Sequence, residues 1–354
     1  MVEIDGSAGG GQILRTALTL SMLSGDPVTV TDVRGDRPQP GLKPQHLTAL
    51  EVAAAVSDAT VEGGELGSST VEFDPGEPTG GRYEAAVGTA GSLTLVFDTL
   101  LPVATRLEEP LSLVATGGTD VKWSPPMACY RRVKLPLLRE HGLAVAVEVE
   151  RPGFYPTGGG RATLRLWPSS VSSLTLDGGK ERGEENSEAD GAEPVEARIY
   201  SLAADSLADA EGADRQADAA ERELSGLGVE TVGRVVTYAA AASPGSSLVV
   251  RLDGEGTLDS GGTVAGFDAC GEKGKPAEEV ATEAVADLTA LWETGAAVDE
   301  HLADQLLVFL ALSGGRVVVP GLTGHVETNL AVLDAFDYDL SVEESNRGVV
   351  VRGE

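Results

Sequence analysis

Two glycine-rich turns, each followed by an apolar helical stripe, constrain the fold of this chain more than any other feature. The first turn, residues 9–11, leads into a helical pattern at 12–24, and the second, residues 88–91, leads into one at 92–103. Strand-like runs come after both, at 28–33 and 111–116. This alternation is typical of an α/β or α+β chain. The recurrence indicates an internal repeat, although no fixed period is visible.

The character of the sequence changes between about residues 170 and 275. From 177 to 230 there are 16 acidic residues against five basic ones, and 178–194 has almost nothing to bury, so we expect an acidic flexible loop there. We predict a main domain at 1–170 and 276–354, interrupted by a small inserted α/β domain at 171–275. The insert's predicted strand, helix, strand and strand lie at 195–202, 215–227, 232–238 and 247–252.

The composition is that of a globular protein. The 354 residues are 42% hydrophobic, which is enough for a sizeable core. No apolar run approaches the roughly 18 residues of a membrane span, and the first residues lack the pattern of a signal peptide. Cys129 and Cys270 are too few for a disulfide framework or a metal cluster. We therefore expect a soluble, cytoplasmic protein.

The charge balance is strongly acidic, with 56 acidic against 26 basic residues and a net charge of -30. One interpretation is a solvated surface adapted to a salt-rich cytoplasm, and the other is a basic partner. The first is favoured because the acids are spread along most of the chain. Nucleic acid needs lysine and arginine for its phosphates, so any nucleic-acid function has to depend on a local arginine cluster.

The first glycine turn, GSAGGGQ at 6–12, is similar to a phosphate cradle, because backbone amides at a helix start can surround an anion. It lacks the Gly-Lys-Ser/Thr of a P-loop and does not fit the dinucleotide-binding fingerprint closely. Taken alone, the pattern favours a tight strand-to-helix turn over a ligand loop.

A local cluster of cations follows at 33–46, in VRGDRPQPGLKPQH. Arginine offers paired donors that match phosphate oxygens, and the prolines and Gly41 stiffen the loop. A surface loop with ordinary ion pairs is the alternative, and we favour phosphate recognition slightly. The candidate residues are Arg15, Arg34, Arg37, Lys43, Gln45 and His46.

The segment HLADQ at 301–305 places His301, Asp304 and Gln305 on one helix face, because they are related by i, i+3 and i+4. The apolar run 306–310 follows, which suggests that the first turns line a pocket while the rest is core. A solvated helix start is an equal alternative.

His325 precedes another helical pattern, in GHVETNL at 324–330. At a helix start the exposed amides and the dipole disfavour imidazolium, so the ring stays neutral, and the same amides can hold a phosphate. This combination suits a nucleophile that attacks phosphorus. A histidine that only caps the helix is favoured when the segment is taken alone.

Together these segments resemble the RNA 3'-terminal phosphate cyclase family, with an archaeal-type chain and a halophile-like composition. The matching elements run in order across nearly the whole chain, and the set is specific although no single element is. They are IDGSAGGGQILRTALTLS (4–21), RGDRPQPGLKPQHLTAL (34–50), GTAGSLTLVFDTLLP (88–102), GGTDVKWSPP (117–126), GFYPTGGG (153–160), HLADQLL (301–307) and GHVETNLAVL (324–333).

The resemblance implies a large domain of repeated βα units, with helices packed on sheets, plus a small inserted α/β domain. It implies an enzyme of the ligase class that acts on RNA with a 3'-phosphate end. In this family a histidine attacks ATP to give a covalent histidine-AMP, the AMP passes to the RNA 3'-phosphate, and the 2'-hydroxyl closes a 2',3'-cyclic phosphate. His325 stands at the position of that histidine.

The resemblance also assigns a nucleotide and phosphate site and a divalent metal, expected to be magnesium, whose ligands it does not identify. The chain departs from the family pattern at Ala8, where relatives carry glutamate, and at Asp98, where they carry glutamine. The residues implied to bind ATP or the RNA end are His301, Leu302, Ala303, Asp304, Gln305, Arg15, Arg34, Arg37, Gln45 and His46.

A different functional class within the same fold is the main alternative. Cyclase-like proteins act in ribosomal RNA processing without catalysing ATP-dependent cyclisation, and they lack the nucleophilic histidine. The presence of His325 favours the enzyme.

Overall fold

A computed structural model describes residues 1–177, 196–253, 265–346 and 348–354. The acidic loop predicted at 178–194 lies outside these residues. The strands are β1 (Val2–Asp5), β2 (Val28–Thr31), β3 (Thr60–Glu62), β4 (Val71–Asp74), β5 (Gly81–Ala86), β6 (Leu111–Gly117), β7 (Val145–Arg151), β8 (Gly160–Leu166), β9 (Leu174–Leu176), β10 (Glu196–Ala204), β11 (Glu230–Ala239), β12 (Ser246–Asp253), β13 (Ala265–Gly271), β14 (Gly315–Val319), β15 (Leu340–Ser345) and β16 (Gly348–Gly353).

Helices alternate with these strands. They are α1 (Gly11–Ser24), α2 (Pro44–Ser57), α3 (Leu93–Asp98), α4 (Met127–Cys129), α5 (Leu135–Glu140), α6 (Gly212–Gly226), α7 (Ala277–Thr294), α8 (Glu300–Ser313) and α9 (Gly324–Ala335). A π-helical turn, Tyr130–Lys134, joins α4 to α5. The predicted α/β (α+β) class is confirmed.

The same βαβαββ unit occurs three times in the described part of the chain. In the first unit β1 pairs parallel to β2, and β4 lies antiparallel between β2 and β3. The second unit repeats this order with β5, β6, β8 and β7, and the third repeats it with β9, β14, β16 and β15. The loops between equivalent elements differ in length, which explains why the sequence shows no fixed period.

A fourth sheet interrupts the third unit. Its order is β11-β10-β12-β13, with β10 and β11 parallel and joined through α6. The strands and helix predicted for an insert are therefore present. Strand β9, inside the predicted insert at 171–275, pairs with β14, whereas α7, beyond the predicted border at 276, packs on β12, β13 and α6. The division into domains stays a prediction, and these contacts support an insert that ends after α7.

Helix α1 occupies the centre of the main layer of helices. It packs against α2 on one flank and α9 on the other, and 11 of its 14 residues are buried. Its two buried threonines are satisfied, since Thr16 Oγ1 donates to Asn329 Oδ1 at 2.9 Å and Thr19 Oγ1 donates to the carbonyl of Thr99 at 2.9 Å. Helix α1 of the first repeat is therefore bonded to α9 of the third repeat and to the end of α3 in the second.

One predicted helix is shorter than expected. The pattern at 92–103 predicts a continuous helix, but α3 ends at Asp98 and a 3₁₀ turn, Pro102–Thr105, follows. Pro102 has no N–H to donate to the carbonyl four residues earlier, so it cannot continue the α-helix. Among the described residues, no helix is long and apolar enough to cross a membrane.

Candidate active site

A cavity of about 740 Å³ opens where α1, α8 and the start of α9 meet the π-helical turn. Strand β13 and helix α7 of the fourth sheet contribute to its wall. Its size is that of a small-molecule site. The polar side chains on its wall include Gln12, Arg15, Asp98, Lys134, Asp268, Asp299, His301, Asp304, Gln305, His325 and Asn329.

The glycine turn before α1 allows three side chains to approach the backbone closely. A Cβ built on Gly11 would overlap Nε2 of His46 and lie 2.9 Å from Nη1 of Arg15. A Cβ on Gly10 would lie 3.5 Å from Nη2 of Arg37. No side chain caps the first amides of α1. Unshielded amides beside arginines are an arrangement that binds anions such as phosphate.

His46 is held as a neutral hydrogen-bond donor beside this turn. It is buried in the first turn of α2, and its Nδ1 accepts a hydrogen bond from the N–H of Lys43 at 3.2 Å. Burial, reinforced by the charges of Arg15 and Arg34, lowers its pKa to about 3. With Nδ1 accepting, the ring hydrogen is on Nε2, the atom that faces Gly11.

The cationic loop predicted at 33–46 folds against the glycine turn. The N–H of Arg34 donates to the carbonyl of Gly6 at 3.0 Å, and Arg34 has a left-handed backbone with φ of 57°. Its Nη1 donates to the carbonyls of Gln39 and Gly41 at 2.8 and 3.1 Å. Arg34 therefore shapes the loop. Arg37 is exposed, and among the described residues its guanidinium donates to no backbone carbonyl.

His325 lies in the first turn of α9. Thr323 caps this helix by accepting a hydrogen bond from the N–H of Val326 at 3.3 Å. The imidazole is 55% exposed, and its Nδ1 is 3.6 Å from Oδ2 of Asp304. Partial burial, with the charges of Arg15 and Arg37, lowers the pKa of His325 below its usual value. The ring is therefore neutral at pH 7, with Asp304 near Nδ1.

Asp304 is fixed by its own helix and by α9. Its carbonyl accepts a hydrogen bond from Nδ2 of Asn329 at 3.4 Å, and Asn329 is bonded in turn to Thr16 of α1. Burial raises the pKa of the Asp304 carboxyl to about 7, although Lys134 and Arg15 favour the charged form. Three helices therefore fix the backbone of Asp304, which places its carboxyl beside His325.

A buried ion pair forms the floor of the cavity. Nζ of Lys134, at the end of the π-helical turn, lies 2.6 Å from Oδ1 of Asp98 and donates to Oε1 of Gln305 at 2.9 Å. The side chains of Lys134 and Asp98 are only 4% and 15% exposed. Nε2 of Gln305 donates to the carbonyl of His301 at 2.6 Å. Lys134 thus supplies the positive charge that balances Asp98.

The sequence of this chain is similar to those of known proteins. A sequence model described as RNA 3'-terminal phosphate cyclase matches residues 7–339. This chain belongs to that family. The RNA 3'-terminal phosphate cyclase of Halobacterium salinarum is 43% identical over 99% of both chains. The protein of the same name from Pyrococcus furiosus is 41% identical and covers 95% of this chain and 93% of its own.

One solved structure, the enolpyruvyl transferase NikO from Streptomyces tendae, is only weakly similar. It is 15% identical, has a TM-score of 0.27, and covers 46% of this chain and 31% of its own. This likeness is too slight to bear on the fold or on the site.

The predicted site residues of this RNA 3'-terminal phosphate cyclase family member fall into two groups. The cavity wall contains Arg15, His301, Leu302, Asp304, Gln305 and His325, while Ala303 is buried behind it. Arg34, Arg37 and His46 lie beside the first glycine turn, and Gln45 lies against the second. Oε1 of Gln45 accepts a hydrogen bond from the N–H of Ser92 at 2.9 Å, which ties α2 to the second glycine turn.

Lys134 and Asn329 are polar residues of this cavity that pattern reasoning did not identify. Lys134 comes directly before the apolar run LPLL at 135–138 and is one of six lysines in the chain, a signal that could have drawn attention to it. Asn329 sits on the apolar side of α9, where a buried amide indicates an internal hydrogen-bond role. Neither pairing could be inferred from sequence, since Lys134 and Gln305 are 171 residues apart.

The family resemblance implies a divalent metal, but the described residues form no preformed metal-binding site. Among residues 1–177, 196–253, 265–346 and 348–354, no group of three or more His, Cys, Asp and Glu side chains is placed to hold an ion. Magnesium commonly keeps several waters and binds through substrate phosphates with one or two carboxylates. The described residues therefore do not fit a resident metal site, and no step is assigned to one.

Proposed function

We propose that this chain uses ATP to convert an RNA 3'-terminal phosphate into a 2',3'-cyclic phosphodiester, through a covalent His325-AMP. The observation that supports this most is the position of His325. It is a neutral imidazole on the wall of a cavity that also contains Arg15, and its Nδ1 faces Asp304 at 3.6 Å. This leaves Nε2 as the nitrogen whose lone pair can attack a substrate.

In the first step Nε2 of His325 attacks the α-phosphorus of ATP. An N–P bond forms, the bond from the α-phosphorus to the bridging oxygen breaks, and pyrophosphate leaves. The imidazole becomes cationic as the bond forms, and Asp304 beside Nδ1 stabilises that charge. Arg15 and Arg37, whose charges act on His325, stabilise the negative charge that grows on the leaving group.

In the second step an oxygen of the RNA 3'-phosphate attacks the phosphorus of the His325-bound AMP, and the imidazole leaves as a neutral ring. In the third step the adjacent 2'-hydroxyl attacks the 3'-phosphorus and its proton passes to solvent. The bond from that phosphorus to the AMP oxygen breaks, so that AMP departs and the cyclic diester remains. The amides of the glycine turn, with Nε2–H of His46, are suited to bind the RNA phosphate.

The product of a single-stranded RNA with a 3'-phosphate tests this proposal. We expect an ATP-dependent end that resists phosphatase and whose RNA mass is lower by one water, whereas an RNA with a 2'-deoxy 3'-terminal nucleotide should stop at the adenylated end, which is heavier by AMP less water. His325→Asn should abolish the product. His141→Asn is the matched control, because His141 lies at the end of α5 with its ring on the carbonyl of Ser173 at 3.0 Å.

The reaction should be followed over a wide range of salt concentration, because a net charge of -30 requires screening for a compact fold. If the folded wild-type protein forms no cyclic end at any salt concentration, the enzymatic proposal fails. A cyclase-like role in ribosomal RNA processing would then be the remaining hypothesis.

A further inference from the structure

Trp123 is the most exposed large apolar side chain of the cavity rim. It is 96% exposed and has a left-handed backbone, with φ of 62°, which bulky residues rarely adopt. Its neighbours hold this conformation, since Ser124 Oγ donates to the carbonyl of Val121 at 3.1 Å and Thr94 Oγ1 donates to that of Pro125 at 3.0 Å. The loop is therefore ordered, and it displays the indole to solvent.

The rim loop, residues 118–125, is bonded to the second glycine turn at one point and to the fourth sheet at another. The N–H of Gly118 donates to the carbonyl of Gly91 in the second glycine turn at 2.8 Å. The buried carboxyl of Asp120 accepts a hydrogen bond from Oγ of Ser247, on β12, at 2.7 Å. Trp123 thus has a fixed position relative to the cavity that also contains His325.

The surface beside Trp123 differs in charge from the rest of the chain. Three of the six lysines, Lys122, Lys273 and Lys275, line a shallow depression next to the rim together with three glutamates. Lys122 lies 2.7 Å from Glu272 and Lys275 pairs with Glu283. The depression is therefore neutral in a protein with net charge -30, so a polyanion meets less repulsion here than over an acidic surface.

The reaction requires the 3' end of an RNA strand to enter the cavity, so the nucleotides just upstream must cross its rim. Unpaired RNA bases bind proteins chiefly by stacking on aromatic side chains. Stacking also suits a salt-adapted protein, because it releases no counterions and so loses little affinity when salt is raised, whereas phosphate contacts weaken. An exposed indole on an anchored loop, beside a neutral patch, meets these requirements.

We propose that Trp123 is the stacking platform for an unpaired base directly upstream of the RNA 3'-terminal nucleotide, with the strand crossing the lysine-lined depression. This deepens the proposed function and depends on it, since it assumes that the RNA end is delivered to the cavity. The enclosed apolar wall formed by Val133, Phe267, Leu291 and Phe309 offers a separate place for the base of ATP.

Binding of a 3'-phosphorylated, single-stranded oligoribonucleotide tests this without ATP. We expect Trp123→Ala to weaken binding by about ten-fold and Trp123→Phe to restore most of the affinity. The loss should persist as salt is raised. Trp167→Ala is the matched control, because Trp167 is 39% exposed but lies outside the cavity wall, and it should bind like wild type.

An oligonucleotide without bases at the positions upstream of its last nucleotide should bind wild type and Trp123→Ala equally. Equal binding of the intact oligonucleotide to both proteins would overturn the proposal. A defect of Trp123→Ala in AMP labelling without RNA would overturn it as well, because it would place ATP at the indole. Failure of the proposed function is distinct, since it would appear as wild-type protein that takes no AMP label.

Discussion

The buried pair of Lys134 and Asp98 makes the most demanding prediction for the integrity of the site. Lys134→Met keeps the length of the side chain but removes the ammonium that lies 2.6 Å from Asp98 and 2.9 Å from Gln305. The carboxylate of Asp98, 15% exposed, would lose its counter-charge. Breaking a buried pair from one side costs about 3–5 kcal/mol, so we expect the free energy of unfolding to fall by about that amount.

Replacing both partners should cost much less than replacing Lys134 alone. In Lys134→Met/Asp98→Asn no unpaired charge remains, so we expect a recovery of about 2–3 kcal/mol relative to Lys134→Met. Removing the uncompensated carboxylate should also restore AMP labelling, because a free negative charge on the cavity floor repels the triphosphate.

Urea-induced unfolding, followed by circular dichroism at one fixed salt concentration, measures these differences. The exposed pair of Arg161 and Glu150, 2.9 Å apart with side chains 40% and 53% exposed, supplies the control. Arg161→Met should change stability by less than about 1 kcal/mol. If Lys134→Met is as stable as Arg161→Met, or if the double variant shows no recovery, the assigned role of the pair is wrong.

Three further predictions follow from the same geometry. AMP labelling should slow as pH falls through about 7, where Asp304 takes up a proton, and be lost as pH drops through the lowered pKa of His325, since protonation removes its lone pair. A rate that does not change from pH 8 down to pH 5 would contradict this. Burial, with repulsion from Asp299, raises the pKa of Asp268 to about 8, so folding takes up a proton between about pH 4 and 8 and this group's contribution to stability falls as pH rises. The free energy of unfolding of Asp268→Asn should therefore rise relative to wild type by about 1.4 kcal/mol per pH unit in that range. A difference that does not depend on pH would refute this. Gly11→Ala should lower the free energy of unfolding by about 1–3 kcal/mol and slow labelling, because the new Cβ displaces His46 and Arg15. Gly226→Ala is the control and should be neutral, because a Cβ there meets nothing within 4 Å. Similar losses in both variants would count against the close approach at Gly11.

Much of the fold follows from local sequence signals. The glycine turn and apolar stripe before residue 24 predict α1 to within one residue, and HLADQ is indeed the beginning of a helix. His325 lies at a helix start, as the pattern around it predicts, because Thr323 supplies the cap. Such features depend on neighbouring residues, so periodicity and capping rules can find them.

Periodicity and capping rules do not predict which segments distant in sequence pack or pair with each other. Strand β9 has three residues, and only its partner β14 in the same sheet shows that it opens the third repeat. The apolar face of α7 is equally compatible with packing on the main domain or on the insert, and the sequence cannot distinguish them. Lys134 finds its partners 36 and 171 residues away, through a π-helical turn that no pattern signals.

Asp98, where the chain departs from the family pattern, has an environment that only the structure reveals. The family resemblance implies glutamine at this position, and this chain has an acidic residue there. The structure pairs Asp98 with Lys134, so the charge of Asp98 is balanced within the cavity. A compensating partner of this kind is visible only when residues distant in sequence are brought together.

The central claim is that His325 carries AMP during the reaction. Incubation of the protein with ATP and a divalent metal, without RNA, followed by peptide mass spectrometry, tests it most directly. We predict one AMP per chain on the peptide that contains His325, present in His141→Asn and absent from His325→Asn. An adduct on another residue, or its persistence in His325→Asn, would contradict the account.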